Sequence, residues 1–372
     1  MELYKQNLQI DIPYPMEQLI SSQKTYKKED FLFFDIETTG LSADVSNLYL
    51  IGCLYYEKEE FHMKQWFADS YDSEPELIKA FFEELKNHKV LLHYNGNGFD
   101  IPYLQKKIAA FELDYSFDCI ESIDLYKAIR PYKKILQLPN LKQKTIESFL
   151  NIGREDEYNG KELIPVYGEY MKKKFCREDN SKELSLLLLH NDEDLKGMVA
   201  LLSLCYYIDL FKKKHEILSV GLKDSVVTAV LSLEHELENQ IKYHNEGLSL
   251  ETIGNELHIN LLLHQGELKY FYPNYKDYYY LPAEDMAVHK SVAEYVDKEF
   301  REKAKKANCY IKKTGLFLPV DEEMAKEINT MVFRTDASSK QGFMEISESW
   351  LENLEHKDVL EEYLHMLICN LK

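Results

Sequence analysis

The stretch Phe31-Leu32-Phe33-Phe34-Asp35-Ile36-Glu37-Thr38-Thr39-Gly40-Leu41 constrains this chain more than any other. Its apolar run reads as a buried strand. Asp35 and Glu37 then leave the core on one side, because residues two apart in a strand share a face. Like charges held that close each favour the protonated form. A divalent cation that prefers hard oxygen ligands, Mg²⁺ or Mn²⁺, relieves the repulsion. The turn Thr38-Thr39-Gly40 follows, and the backbone N–H groups of such a turn suit an anionic oxygen. Metal-binding carboxylates beside an anion-binding turn point to phosphate-ester chemistry. A D-x-E alone is equally an ordinary strand edge, so the reading depends on what accompanies it.

Two further segments supply the company. Val90-Leu91-Leu92-His93-Tyr94-Asn95-Gly96-Asn97-Gly98-Phe99-Asp100 is a short apolar strand, a glycine-rich break and a carboxylate that opens a helix. Capping and dipole complementarity also place Asp at a helix start. In Leu186-Leu187-Leu188-Leu189-His190-Asn191-Asp192-Glu193-Asp194, the residues His190 and Asp194 stand four apart and share a helical face. A base and a metal ligand reach one spot from there. Asp192, two positions before Asp194, points about 200° away around the helix, so Asp194 is the preferred ligand.

Together the three segments resemble the DEDD superfamily of 3′–5′ exonucleases, which have a ribonuclease H-like fold. The resemblance is nearest to the bacterial branch typified by the YprB proteins and covers about residues 28–215. It implies an α/β domain on a mixed five-stranded sheet flanked by helices. It implies that Asp35, Glu37, Asp100 and Asp194 are four metal-binding carboxylates for two divalent cations, Mg²⁺ or Mn²⁺. His190 is then the general base, or orients the attacking water. Single-stranded DNA or RNA with a 3′ end is the implied partner, hydrolysed by a two-metal mechanism. Thr38, Thr39 and Gly40 contact the terminal nucleotide in such an enzyme, Leu41 packs on the last base, and Asn95 binds near Asp100. One departure stands out. The superfamily usually has Tyr four positions, or His five positions, before the last Asp, and this chain has His at the Tyr spacing.

The chain has 372 residues and a formal net charge of −19, which argues against long-range attraction of a polyanion. Confined basic clusters remain: Arg130, Lys133, Lys134, Lys142 and Lys144, then residues 172–174, 212–214, 303–306 and 312–313. The 6 Cys form no C-x-x-C pair, against structural zinc and against a disulfide framework. No long uncharged apolar run suggests a membrane span, and the first residues lack a signal-peptide pattern. A cytoplasmic location is the expectation.

The order of elements expected is an extended lead-in over residues 1–30 and an antiparallel meander of strands at 31–37, 48–56 and 60–68. A helix at 74–87, a strand at 89–94, a helix at 100–110 and a strand at 119–125 follow. Short helices over 131–180 and one long helix over 182–214 complete a first domain, residues 1–215. Residues 216–372 read as a smaller α+β domain of unknown function, able to dock a protein partner. It begins with a helix or bridge at 225–242. Tyrosine-rich strands lie between 257 and 282, then a helix over 284–304, short strands around 308–320 and 330–345, and a last helix over 347–370. Two rival functions use the same fold: a catalytically silent nucleic-acid-binding or assembly module, and a structure-specific endonuclease.

Overall fold

A computed structural model of the chain describes residues 1–20, 25–245, 247–352 and 356–371. The chain divides into two compact units, Met1–Ile208 and Asp209–Lys372. Among the described residues no helix is long and apolar enough to cross a membrane.

The first unit begins with β1 (Glu2–Leu8), β2 (Phe31–Thr38), β3 (Leu48–Glu57) and β4 (Glu60–Phe67). The helix α1 (Glu74–Leu85), β5 (Val90–His93), α2 (Asp100–Ala110) and β6 (Glu121–Asp124) follow. Then come α3 (Leu125–Ile129), α4 (Gln143–Phe149), α5 (Gly160–Cys176) and α6 (Ser181–Ala200), and α7 (Leu204–Lys212) runs past the unit's end. The strands form one sheet in the order β1-β4-β3-β2-β5-β6. β2, β5 and β6 run parallel, and the other neighbours pair antiparallel. The mixed α/β sheet is therefore the expected one, with an added edge strand. That strand corrects the extended lead-in: Glu2–Leu8 pairs with β4 along its whole length. Its mostly polar side chains suit a solvated edge.

The core explains the central position of β2 and β3. Phe31 to Phe34 are at most 1 % exposed, and β3 is buried from Leu48 through Leu54. Phe34 stacks on Phe81 of α1, so one face of β2 packs on helix while Asp35 and Glu37 turn to the other. The expected long helix over 182–214 breaks at a tight turn, Leu201–Ser203, between α6 and α7. No Pro or Gly marks that break; packing of the buried Leu201, Leu202 and Leu204 sets it.

The second unit is dominated by strands. β7 (Ile217–Lys223), β8 (Val226–Ser232), β9 (Lys242–His244), β10 (Leu248–Ile253) and β11 (Glu256–Leu262) form a sheet in the order β7-β8-β11-β10-β9. Next are β12 (His264–Phe271), β13 (Tyr278–Leu281), β14 (Met286–His289), α8 (Lys290–Ala293) and β15 (Glu302–Lys303). They are followed by β16 (Tyr310–Val320), α9 (Glu322–Glu327), β17 (Phe333–Arg334), β18 (Gly342–Ile346), α10 (Glu348–Glu352) and α11 (Lys357–Cys369). β12, β16, β18 and β17 close a barrel, and β14-β13-β15 form a three-stranded sheet.

Two expectations fail here. Residues 226–232 are a strand, because Asp224 and Ser225 turn left-handed and return a β-branched run as a hairpin. The expected helix over 284–304 is replaced by β14, the single turn of α8 and β15. Asp285, at φ 50°, closes the β13–β14 hairpin instead. Of the last expected helix, 347–370, residues 353–355 lie outside the described residues.

Candidate metal centre

Three elements deliver the acids. β2 and β5 are parallel neighbours, so their C-terminal ends open side by side. Asp35 and Glu37 stand at that end of β2, and Asp100 opens α2 after β5. The Ile36 N–H donates to Asp100 Oδ1 at 3.3 Å, tying the start of α2 to the strand between the two acids. α6 covers the same face with Leu187, His190, Asn191, Asp194, Leu195 and Met198 on one helical stripe. Gly52 lies opposite Asp35 on β3 and allows that approach. A Cβ there would lie 1.9 Å from Asn191 Oδ1 and 2.8 Å from a Leu195 methyl. The helix can therefore come close enough for Asn191 Nδ2 to donate to Asp35 Oδ2 at 3.0 Å.

His190 is 5 % exposed and faces acids from both ring nitrogens. Its Nδ1 is 2.6 Å from Asp156 Oδ2. Its Nε2 lies 3.5 Å from Glu37 Oε1 and 3.5 Å from Asp194 Oδ2. Tyr49, stacked on Tyr167, donates to Glu37 Oε2 at 3.4 Å. Arg154 Nη1 donates to Asp194 Oδ1 at 2.6 Å and to Glu147 Oε2 at 3.0 Å, and its Nη2 reaches Asp156. Lys144 adds a bond to Asp156 at 3.0 Å.

Electrostatics set these acids apart. Burial pushes the Asp35 carboxyl well above its ordinary value, and Glu37, Asp194 and Asp100 push it further. Glu37 rises for the same reason, with Asp194 and Asp100 as its main repellers. Burial carries Asp100 up to about 7, against backbone donors that pull it back. Asp156 behaves oppositely: burial opposes its charge, but His190 and Lys144 outweigh that and hold it below the usual range. The acids of β2 and α2 thus form a buried negative pocket whose cheapest relief is a cation.

Glu37, His190 and Asp194 each offer a ligand atom within 4.8 Å of the other two. Asp35 and Asp100 border that group: the Asp194 charge raises both, and Asp100 raises Asp35 as well. Two carboxylates and an imidazole, with the further carboxylates of Asp35 and Asp100 beside them, are a donor set that fits a divalent cation. Asp192 is directed elsewhere, paired with Lys196 at 2.6 Å.

The turn after Glu37 is rigidly built. A register shift falls between Glu37 and Thr38. The Thr39 N–H donates to the Asn47 carbonyl and the Asn47 N–H to Thr39 Oγ1, both at 2.8 Å. Thr38 Oγ1 donates to the Gly40 carbonyl at 2.9 Å. Buried Glu74 accepts from Asn47 and Leu48 and pairs with buried Lys107 at 2.7 Å, whose Nζ also donates to the Ser46 carbonyl. Leu41 tips this loop 87 % exposed, so it is not a core residue. Asn95 is exposed at φ 63°, and its N–H goes to Asp124, not Asp100. It lines a shallow groove with Tyr94, Tyr126, Leu141, Lys142 and Gln143.

Residues 32–206 match the RNase_H superfamily. The first unit carries an RNase H-like domain. The chain is 30 % identical to "DNA polymerase 1" of Sulfurisphaera ohwakuensis, over 26 % of this chain and 15 % of that protein. It is 32 % identical to the uncharacterized protein YprB of Bacillus subtilis (strain 168), over 23 % of this chain and 21 % of the relative. A DNA polymerase of Orgyia pseudotsugata multicapsid polyhedrosis virus is 24 % identical over 42 % of this chain and 18 % of its own length. The chain thus spans about a fifth or less of the length of these relatives. Among solved structures, a family B DNA polymerase from Pyrobaculum calidifontis aligns at TM-score 0.38 and 13 % identity, covering 65 % of this chain and 40 % of the polymerase.

Sequence reasoning missed Arg154, Asp156 and Glu147, which surround the RNase H-like domain's acids. Arg154 and Asp156 lie in an irregular, charged stretch where no periodicity marks a partner. Asn191 did carry a signal: a polar residue beside His190 on the stripe of α6 that Leu187, Leu195 and Met198 otherwise make apolar.

Proposed function

We propose that the RNase H-like domain hydrolyses phosphodiester bonds of single-stranded DNA or RNA from the 3′ end, assisted by divalent cations. The observation that carries this is the buried pocket where Asp35, Glu37, Asp100 and Asp194, from three distant segments, repel one another beside the imidazole of His190. Those four carboxylates would hold two ions, Mg²⁺ or Mn²⁺, which supply Lewis acidity and neutralise charge on the phosphate. The chain's own groups do the rest. The Asp156 carboxylate accepts the Nδ1 proton of His190, which leaves the Nε2 lone pair facing Glu37 and Asp194. From there it accepts a proton from attacking water, help typically worth ~10²–10⁴-fold. Thr38, Thr39, Gly40 and the exposed Leu41 form a fixed ledge for the terminal nucleotide, and the groove beside Asn95 takes the strand behind it. Relatives named as DNA polymerases support a polynucleotide substrate.

The test is a gel of 5′-labelled DNA and RNA with Mg²⁺ or Mn²⁺. The expected result is stepwise shortening with release of nucleoside 5′-monophosphates, abolished in Asp35→Ala and Asp100→Asn. No metal-dependent shortening, or shortening unchanged in Asp35→Ala, would overturn the reading. Cleavage of a circular single strand would replace it with an endonuclease.

One observation favours a second reading, a silent binding module: the Arg154 guanidinium already claims an Asp194 oxygen at 2.6 Å. Mn²⁺ calorimetry separates the two, since a silent module of this kind binds oligonucleotide without binding the ion.

A further inference from the structure

We propose that the outward face of the β14-β13-β15 sheet, with the segment between α8 and β15, is a second single-stranded nucleic-acid contact surface. The register builds it. Tyr279 stands opposite Val288 on β14 and Lys303 on β15, so these three share one face. Tyr278 and Tyr280 turn the other way and pack on Ala287, Ala304 and Cys309. The outward face has no such core. Instead the Arg301 guanidinium lies over the Tyr279 ring, 5.0 Å from its centroid, and donates to the Ala293 carbonyl at the end of α8. The aromatic face thereby continues into the α8–β15 segment. There Tyr295 is 91 % exposed and Phe300 56 % exposed.

Charge selects the occupant. Residues 294–306 hold five Lys and Arg against four Asp and Glu, in a chain of net charge −19, so the contrast lies in which of those cations are left uncommitted. Two other lysine runs are consumed internally: Lys172 to Lys174 pair with Glu169, Glu183 and Asp69, and Lys312 and Lys313 pair with Asp285 and Glu345. Lys298, Lys303, Lys305 and Lys306, by contrast, form no ion pair among the described residues. Exposed rings amid uncommitted cations match what an unpaired strand offers, phosphates at regular spacing and free base faces. A duplex keeps its bases stacked inside, so the rings select single strands.

The choice of ligand rests on the nuclease reading, yet the two fail separately. Fluorescence anisotropy of the full chain with a 5′-labelled 20-mer, as single-stranded DNA, RNA and duplex in EDTA, measures binding without cleavage. Base stacking is worth ~1–3 kcal/mol per base. The double substitution Tyr295→Ala, Phe300→Ala is therefore expected to weaken single-strand binding at least about tenfold. Lys305→Ala with Lys306→Ala is expected to lower the slope of log affinity against log salt by about 1.4, at ~0.7 per phosphate contact. All four side chains are exposed, so folding is not at stake. Unchanged affinity in both doubles, or equal affinity for duplex, overturns the surface. Cleavage is read on the same proteins with Mn²⁺. Absent cleavage with surface-dependent binding overturns only the nuclease reading.

Discussion

Asp156 lies 2.6 Å from Nδ1 of His190, and the proposed mechanism needs that carboxylate to keep the ring proton on Nδ1 and leave Nε2 free. Asp156→Asn puts an amide in its place, which can donate to Nδ1 and so move the ring proton to Nε2. The expected outcome is a kcat fall of about 10²–10⁴, as for loss of general-base help, with little change in KM or in Mn²⁺ affinity. Steady-state kinetics and calorimetry check this, and a wild-type kcat contradicts it. The acids make a different prediction. Asp100 sits at about 7 in the folded chain against an ordinary 3.8, and Asp35 and Glu37 are raised too. The folded state therefore holds more protons than the unfolded one in that window. By linkage, this contribution to stability is full below about pH 4 and is lost as pH climbs through about 7. A divalent cation binds the ionised form, so Mn²⁺ should raise the melting temperature more at pH 8 than at pH 5. Equal shifts at both values would contradict the raised carboxyls. Legibility at this scale follows regularity. Asp35, Glu37, Asp100, His190 and Asp194 could be read because strand and helix periods place them. Arg154 and Asp156 could not, since an irregular loop has no period to read.

Elements bring those residues together through close approach rather than through local preference. α6 reaches β2 over Gly52, and the missing Cβ is the condition for Asn191 to touch Asp35. Gly52→Ala should push the helix outward, destabilise the fold by about 1–3 kcal/mol as overpacking does, and cost activity beyond what the stability loss explains. Urea unfolding beside single-turnover cleavage tests it; unaltered activity would mean the helix can shift without moving His190 and Asp194. β2 and β3 were legible as continuous apolar runs buried on both faces, and the helices α1 and α2 because each buries one face with a helical period. The segment 284–304 was not. Val292, Tyr295 and Phe300 fall near helical spacing, but each stands exposed, and the hairpin turn at Asp285 hands the preceding residues to β13 as a partner. A helical pattern without a surface to cover does not make a helix.

At the scale of the whole molecule, the two units differ in how much of them a sequence can announce. The first holds acids from distant segments that meet in one pocket, and residues that must meet carry recognisable spacings. The second is sheets and a small barrel, whose alternating patterns show strands without showing which strands pair. The net charge of −19 is likewise a property of the whole that hides local exceptions. This division leads to a spatial prediction about the metal. If the ions belong to the acids of β2, α2 and α6, their binding energy stabilises the elements that carry those acids. At a hundred times its dissociation constant a ligand contributes about 2.7 kcal/mol to the state it binds. Hydrogen exchange measured by mass spectrometry, with and without Mn²⁺, should then show slowed exchange in peptides covering residues 31–41, 96–110, 150–158 and 186–198. Peptides from Asp209 onward should be unaffected. Slowing centred in the second unit would mean that the cation is held by other acids, and the buried pocket between β2 and α6 would lose its claim to it.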